Sequence, residues 1–322
     1  MQTSTLFKNR TLFYKDVMEG LHAKPKYLDS KYFYDEYGDK LFQKIMQCDE
    51  YYLTNCELEI MQKKAPAIVD AFTSHGNEFD LIELGPGDCT KSFFLLEQLV
   101  KKNIDFTFYP IDISSNVIST LEDELPQKLP GLKISGLNGE YLSMLREANR
   151  LSKRKKIVLF MGSNIGNMTI DESIAFCRHV NSCLSQGDLL MAGFDLKKDP
   201  QKILNAYNDS AGITREFNLN LLKRINRELN ADFVTEQFKH FPVYNPESGE
   251  CKSYLVSSCK QRVFIGDTDY IDFDENETIY MEISTKYTAS QTDEIANLSG
   301  FRPVKHFYDS KKWFLDAVWK CL

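Results

Sequence analysis

Between Phe79 and Leu196 the hydrophobic pattern switches repeatedly between continuous apolar runs and helical spacing, and no other feature constrains the fold as tightly. FDLIELGPGDCTKSFFLLEQLVKK reads as a buried strand, a glycine-rich turn and an amphipathic helix, and FTFYPIDIS supplies the next strand. A helix over Ser115 to Leu125, then LKISGLN, KKIVLFMGSNIGN, a helix over Asp171 to Leu184 and finally GDLLMAGFDL continue the alternation. Thr169 and Glu172 give the last of these helices a capping box. Parallel strands need a crossover segment between them, so alternation sustained over about 120 residues predicts an α/β fold with a doubly wound parallel sheet.

The flanking segments follow other patterns. Residues 1 to 72 read as mainly helical, with Asp39 as the N-cap of a helix that buries Leu41, Phe42, Ile45 and Met46. Residues 200 to 240 are helical again, and a strand-rich segment then leads to TIYMEISTKY, in which Ile279, Met281 and Ile283 alternate with Tyr280, Glu282 and Ser284. A helix closed by Gly300 precedes two strands, FRPVKHFYD and WFLDAVWK, joined across SKK as a hairpin. A five-stranded parallel sheet carrying a terminal antiparallel hairpin is the plan of class I, Rossmann-like methyltransferases. Residues 62-198 and 286-322 are expected to form that domain, and residues 1-61 and 199-285 an α+β domain for the substrate.

Composition narrows the partners. A net charge of −7 without a dense Lys/Arg patch opposes binding to a phosphate backbone or an anionic membrane, so neither nucleic acid nor membrane is an expected partner. No apolar window reaches the ~18 residues of a membrane span and the amino terminus has no apolar export core, which points to the cytoplasm. The eight cysteines include no C-x-x-C pair and the five histidines are scattered, so buried thiols and no metal are expected. A monomer is expected.

ELGPGD, Glu83 to Asp88, lies between strand and helix, where small residues let the backbone approach a ligand. A dinucleotide fingerprint would place a third glycine where Thr90 stands. Asp112, at the end of the second strand, occupies the position from which a carboxylate grips ribose hydroxyls, although a helix cap would read the same way. Glu140 and Tyr141, after the third strand, are suited to an adenine edge. Three such points at successive strand ends favour S-adenosylmethionine over NAD.

Taken together, YFYDEYGDKLFQKIMQCDEYYLT, LIELGPGDCTK, FMGSNIGN, AYNDSAGITREFNLNLLKRINRELNADF and YMEISTKY closely resemble the histidine-specific N-α-methyltransferases that begin ergothioneine synthesis. The likeness implies methylation of L-histidine to its trimethylated betaine, with S-adenosylmethionine as cofactor. It implies a cofactor set of Tyr34, Gly85, Lys91, Asp112, Glu140 and Tyr141, and an amino-acid set of Tyr51, Asn167, Tyr207, Glu282 and Ser284. Asn167 and Tyr207 would position the α-amine, with no dedicated base among them. Glu282 and Ser284 would accept and donate at the imidazole, a use of a carboxylate that an apolar side chain could not reward. Ser253 stands where a bulkier apolar residue is expected and bears on the shape of the side-chain pocket. Relatives acting on tryptophan-like amines share the fold, and a binding protein without catalysis is the alternative of another class.

Overall fold

The computed structural model describes residues 2–74 and 76–322; Met1 and His75, one of the scattered histidines, lie outside them. The chain divides into two compact units, one made of residues 1–52 and 198–284, the other of residues 53–197 and 285–322.

The second unit is built on a mostly parallel sheet. From one edge its strands run Phe301–Tyr308, Phe314–Cys321, Leu189–Asp195, Lys155–Phe160, Glu78–Leu84, Asp105–Asp112 and Lys133–Ile134, and the short strand Leu137–Asn138 also pairs with Asp105–Asp112. Phe314–Cys321 is antiparallel to both of its neighbours, as the sequence pattern of a terminal hairpin implies. This is the class I methyltransferase plan. The central strands are buried on both faces, which is why Leu189–Asp195 reads as a nearly unbroken apolar run rather than an alternating one, whereas Glu78–Leu84 buries the charged Asp80 and Glu83 among its apolar residues. Pro303 sits on the outermost strand beside a register shift, the kind of position to which proline in a sheet is confined. The capping box of Thr169 and Glu172 forms, heading the helix Ile170–Ser182.

Strand order reverses at Glu78–Leu84, which pairs with Asp105–Asp112 on one side and Lys155–Phe160 on the other. In open α/β sheets such a reversal leaves a crevice beyond the strand ends. The glycine turn begins there.

The first unit contains a four-stranded sheet in the order Lys26–Tyr27, Thr278–Thr285, Glu250–Ser257 and Phe238–Tyr244, and a separate hairpin of Gln261–Ile265 with Asp269–Phe273. Its core joins Phe13, Val17 and Leu21 of the helix Gln2–His22 to Phe217, Leu221 and Ile225 of the helix Ile213–Leu229, and to Ile279 and Met281 of the sheet. The helix Glu36–Met46 buries Leu41 and Ile45 as the spacing predicts, but its N-cap is Asp35, whose carboxylate accepts from the Gly38 N–H at 2.7 Å. Asp39 falls instead in the first turn, where its charge complements the helix dipole.

Candidate functional site

In the second unit the expected cofactor residues gather at the strand ends. Gly85 has φ +68°, and a methyl group added there would lie 2.5 Å from the Tyr141 hydroxyl. Backbone sign and crowding both require glycine at this point. Asp112 ends its strand half-buried and accepts from the Ser114 N–H at 2.8 Å. Ser114, not Asp112, caps the following helix. Burial raises the Asp112 carboxyl pKa against the opposing backbone hydrogen bonds. Asn138 pairs with Asp112 in the sheet, which brings Glu140 and Tyr141 alongside that carboxylate. Glu140 is the exposed N-cap of the helix Tyr141–Leu151, and burial, with the charges of Asp112 and Glu140, pushes the Tyr141 phenol up to about 12.

Lys91 is anchored from below. Its ammonium pairs with Glu57, a residue 1% exposed whose carboxylate also accepts from the Gly162 N–H at 2.8 and 3.0 Å. Burial, the largest influence, favours the neutral amine, yet the charge and hydrogen bond of Glu57 outweigh it and raise the Lys91 pKa. A methyl group at Gly162 would lie 3.5 Å from both Lys91 Nζ and the Asn164 side-chain amide, and one at Gly85 would lie 3.9 Å from that same amide. Two glycines, a lysine, a tyrosine hydroxyl and an asparagine amide therefore converge on one cradle. Asn167 ends the short helical turn Asn164–Asn167 and is exposed. The turn is pinned where the Tyr287 hydroxyl donates to the Ile165 carbonyl at 3.1 Å and the Thr285 hydroxyl donates to the Met168 carbonyl at 2.9 Å.

The first unit holds Tyr51, Tyr207, Glu282 and Ser284 of the amino-acid set, while Asn167 belongs to the second unit. Tyr207, 7% exposed, follows the helix Pro200–Ala206 and donates to Ser284 Oγ at 2.6 Å. The Tyr51 ring meets Tyr207 edge-on with centroids 6.3 Å apart, and meets Phe42 at 6.4 Å. Tyr34, placed in the cofactor set by sequence, belongs to this unit; it is 47% exposed and its ring packs edge-on against Phe42 and Phe217. Ile279, Met281 and Ile283 are buried, so alternation turns Tyr280 and Glu282 to the opposite face, where Tyr280 meets Tyr254 with centroids 5.8 Å apart. In the neighbouring strand Ser253 alternates with Tyr254 and shares the core-facing side with Leu255. Ser253 thus points away from the Glu282 face, and Lys252 shares that face with Tyr254. Strand parity thus places Ser253 on the side opposite Glu282.

Sequence reading missed Glu57, Asn164 and Asp316. A glutamate in a helical segment and an aspartate inside FLDAV were the available signals, and neither names a partner. Among the described residues no group of His, Cys, Asp and Glu could hold a metal ion, and no helix is long and apolar enough to cross a membrane.

The profile of the family described as histidine-specific, SAM-dependent methyltransferase matches residues 13–321. A histidine N-alpha-methyltransferase of Mycobacterium tuberculosis is 32% identical over 296 residues, which cover 92% of this chain and 90% of that protein. Ergothioneine biosynthesis protein 1 of Neurospora crassa is 28% identical over 92% of this chain and 33% of its own length. An L-tryptophan methyltransferase of Psilocybe serbica is 26% identical over 92% of this chain and 89% of its own.

Proposed function

The chain belongs to the family of histidine-specific, S-adenosylmethionine-dependent methyltransferases, and from that premise we propose that it methylates the α-nitrogen of L-histidine in ergothioneine biosynthesis. The match over residues 13–321 carries the reaction.

The cradle in the second unit suits the cofactor. Lys91 offers an ammonium to the carboxylate of S-adenosylmethionine, Asp112 a carboxylate to the ribose hydroxyls, and Gly85 with Tyr141 a close backbone approach walled by a ring. Bound there, S-adenosylmethionine supplies an electrophilic methyl group on sulfonium. Glu140 and Tyr34 complete the proposed cofactor set.

The amino acid needs orientation and a neutral amine. A free α-amino group is mostly protonated near pH 7, so its proton must leave to water or a nearby oxygen before a lone pair can attack. A tyrosine that gives its proton to Ser284 presents its own oxygen as an acceptor, which supports Tyr207 as the group that orients the amine. Asn167 is proposed for the same end of the substrate. Successive methylations remove N–H donors from the amine, so a constant grip has to lie at the ring. Glu282 and Ser284 are suited to that grip, because imidazole has two nitrogens to satisfy and indole one. Tyr51 supplies an aromatic face. Fixing the nucleophile at near-attack distance is the main contribution asked of the protein.

Purified protein given S-adenosylmethionine and each of twenty amino acids should release S-adenosylhomocysteine fastest with L-histidine, with mass spectrometry finding methylated histidine. Faster turnover with tryptophan would transfer the reading to the substrate of the Psilocybe relative. No turnover with any amino acid would reject catalysis.

A further inference from the structure

The charge cluster beneath the glycine turn holds more acid than the cofactor reading uses. Lys91 faces three carboxyl groups: Glu57 from the helix Tyr52–Thr73, Glu83 from the end of its strand and Asp316 from the terminal strand. The Cys89 thiol lies against Glu83 at 3.8 Å. Glu57, Glu83 and Asp316 are 1%, 3% and 0% exposed. Three carboxylates opposed by one ammonium in so dry a place would leave two uncompensated buried charges, which proteins relieve by retaining protons.

The contacts identify where a proton stays. Glu57 accepts hydrogen bonds from Lys91 and from the Gly162 N–H. Neither oxygen of Asp316 meets a donor among the described residues. Asp316 is opposite Gly193 in the sheet, and a methyl group at Gly193 would lie 3.2 Å from Asp316 Oδ1 and 2.5 Å from Glu57 Oε1, so both carboxyl groups crowd one glycine. A carboxylate only accepts, whereas a carboxylic acid also donates. Asp316 therefore needs an O–H, and Glu57 is the acceptor beside it.

We propose that Glu57 and Asp316 share one proton and act as a positioning pair, holding Lys91 with its remaining N–H donors turned to the carboxylate of the cofactor. The inference rests on reading Lys91 as a cofactor ligand. The Lys91 side chain is 26% exposed, so it is anchored without being fully enclosed. Burial and the Glu57 charge both hold the Asp316 carboxyl well above its usual range, and burial holds Glu83 at about 8. With those protons in place, Lys91 and Glu57 balance. Loss of the shared proton sets a second negative charge beside Lys91 and opposes an anionic ligand.

Calorimetry on the full chain tests this with two ligands, S-adenosylhomocysteine, which carries the carboxylate, and 5′-methylthioadenosine, which lacks it. Glu57→Gln should weaken S-adenosylhomocysteine about tenfold and leave methylthioadenosine within about twofold. Asp316→Asn keeps an N–H donor for Glu57 that cannot titrate, so it should bind as wild type at pH 7 and lose affinity less steeply than wild type up to pH 9.5. Glu83 and the ligand amine titrate in both proteins, so the difference between the two curves reads Asp316. Equal weakening of both ligands in Glu57→Gln, or superimposable pH curves, would overturn the proposal. Lys91→Met should itself abolish the preference for S-adenosylhomocysteine. If it does not, the reading of Lys91 fails and the pair loses its purpose; if it does while Glu57→Gln binds as wild type, the pair alone is rejected.

Discussion

The two units solve the problem of buried polarity in opposite ways. Around the glycine turn, Glu57, Lys91, Glu83 and Asp316 are charged or proton-bearing groups fixed by one another and by backbone N–H groups. Around Tyr207 the set is dominated by neutral hydroxyls and rings, with Tyr207 donating to Ser284 and Tyr51 packed edge-on against Tyr207. On the proposed function, the fixed cation suits the cofactor carboxylate, and hydroxyls that can donate or accept suit an amine that loses hydrogen-bond donors with each methyl transfer.

The contrast can be broken by substitutions that should each affect one ligand. Glu282→Ala should raise the histidine KM about 10- to 100-fold, the range expected for losing a hydrogen bond to a charged group, while S-adenosylhomocysteine affinity stays within about twofold. Parallel losses in both would mean that Glu282 supports the fold and not the imidazole. Gly85→Ala is the converse. A side chain at φ +68° and 2.5 Å from the Tyr141 hydroxyl should lower cofactor affinity about tenfold, read by calorimetry, with histidine KM at saturating cofactor little changed.

A further contrast is in the pH dependence of stability, and its sign differs between the units. Burial holds the Glu83 carboxyl at about 8 from a usual 4.5, so folding keeps a proton that the unfolded chain releases. Its stabilising contribution is complete below the unfolded pKa and is lost as the pH rises through that window, by at most about 1.4 kcal/mol per pH unit. Burial lowers His240 in the first unit to about 4 from 6.5, and its Nε2 has no partner among the described residues. Its contribution is complete above 6.5 and is lost as the pH falls towards 4. Denaturant unfolding at pH 5, 6.5 and 8 should find that Glu83→Gln flattens the alkaline limb and His240→Phe the acid limb. An unchanged alkaline slope in Glu83→Gln would show that Glu83 is ionised in the fold.

The sequence by itself determined what depends on local periodicity and local backbone chemistry. The alternating strands and helices, the capping box at Thr169, the terminal hairpin and the glycine turn all follow from spacing within one element or one loop. Motif likeness added the family and a set of candidate ligands. Tertiary structure alone decided which distant groups meet: Glu57 and Lys91 are separated by 34 positions, Tyr207 and Ser284 by 77, and no pattern in a single segment encodes either pairing. It also decided which way Ser253 faces, because a strand's two sides are equivalent until a core is laid against one of them. Buried protonation belongs to the same class, since Asp316 looks like any other aspartate until desolvation and a neighbouring carboxylate act on it together.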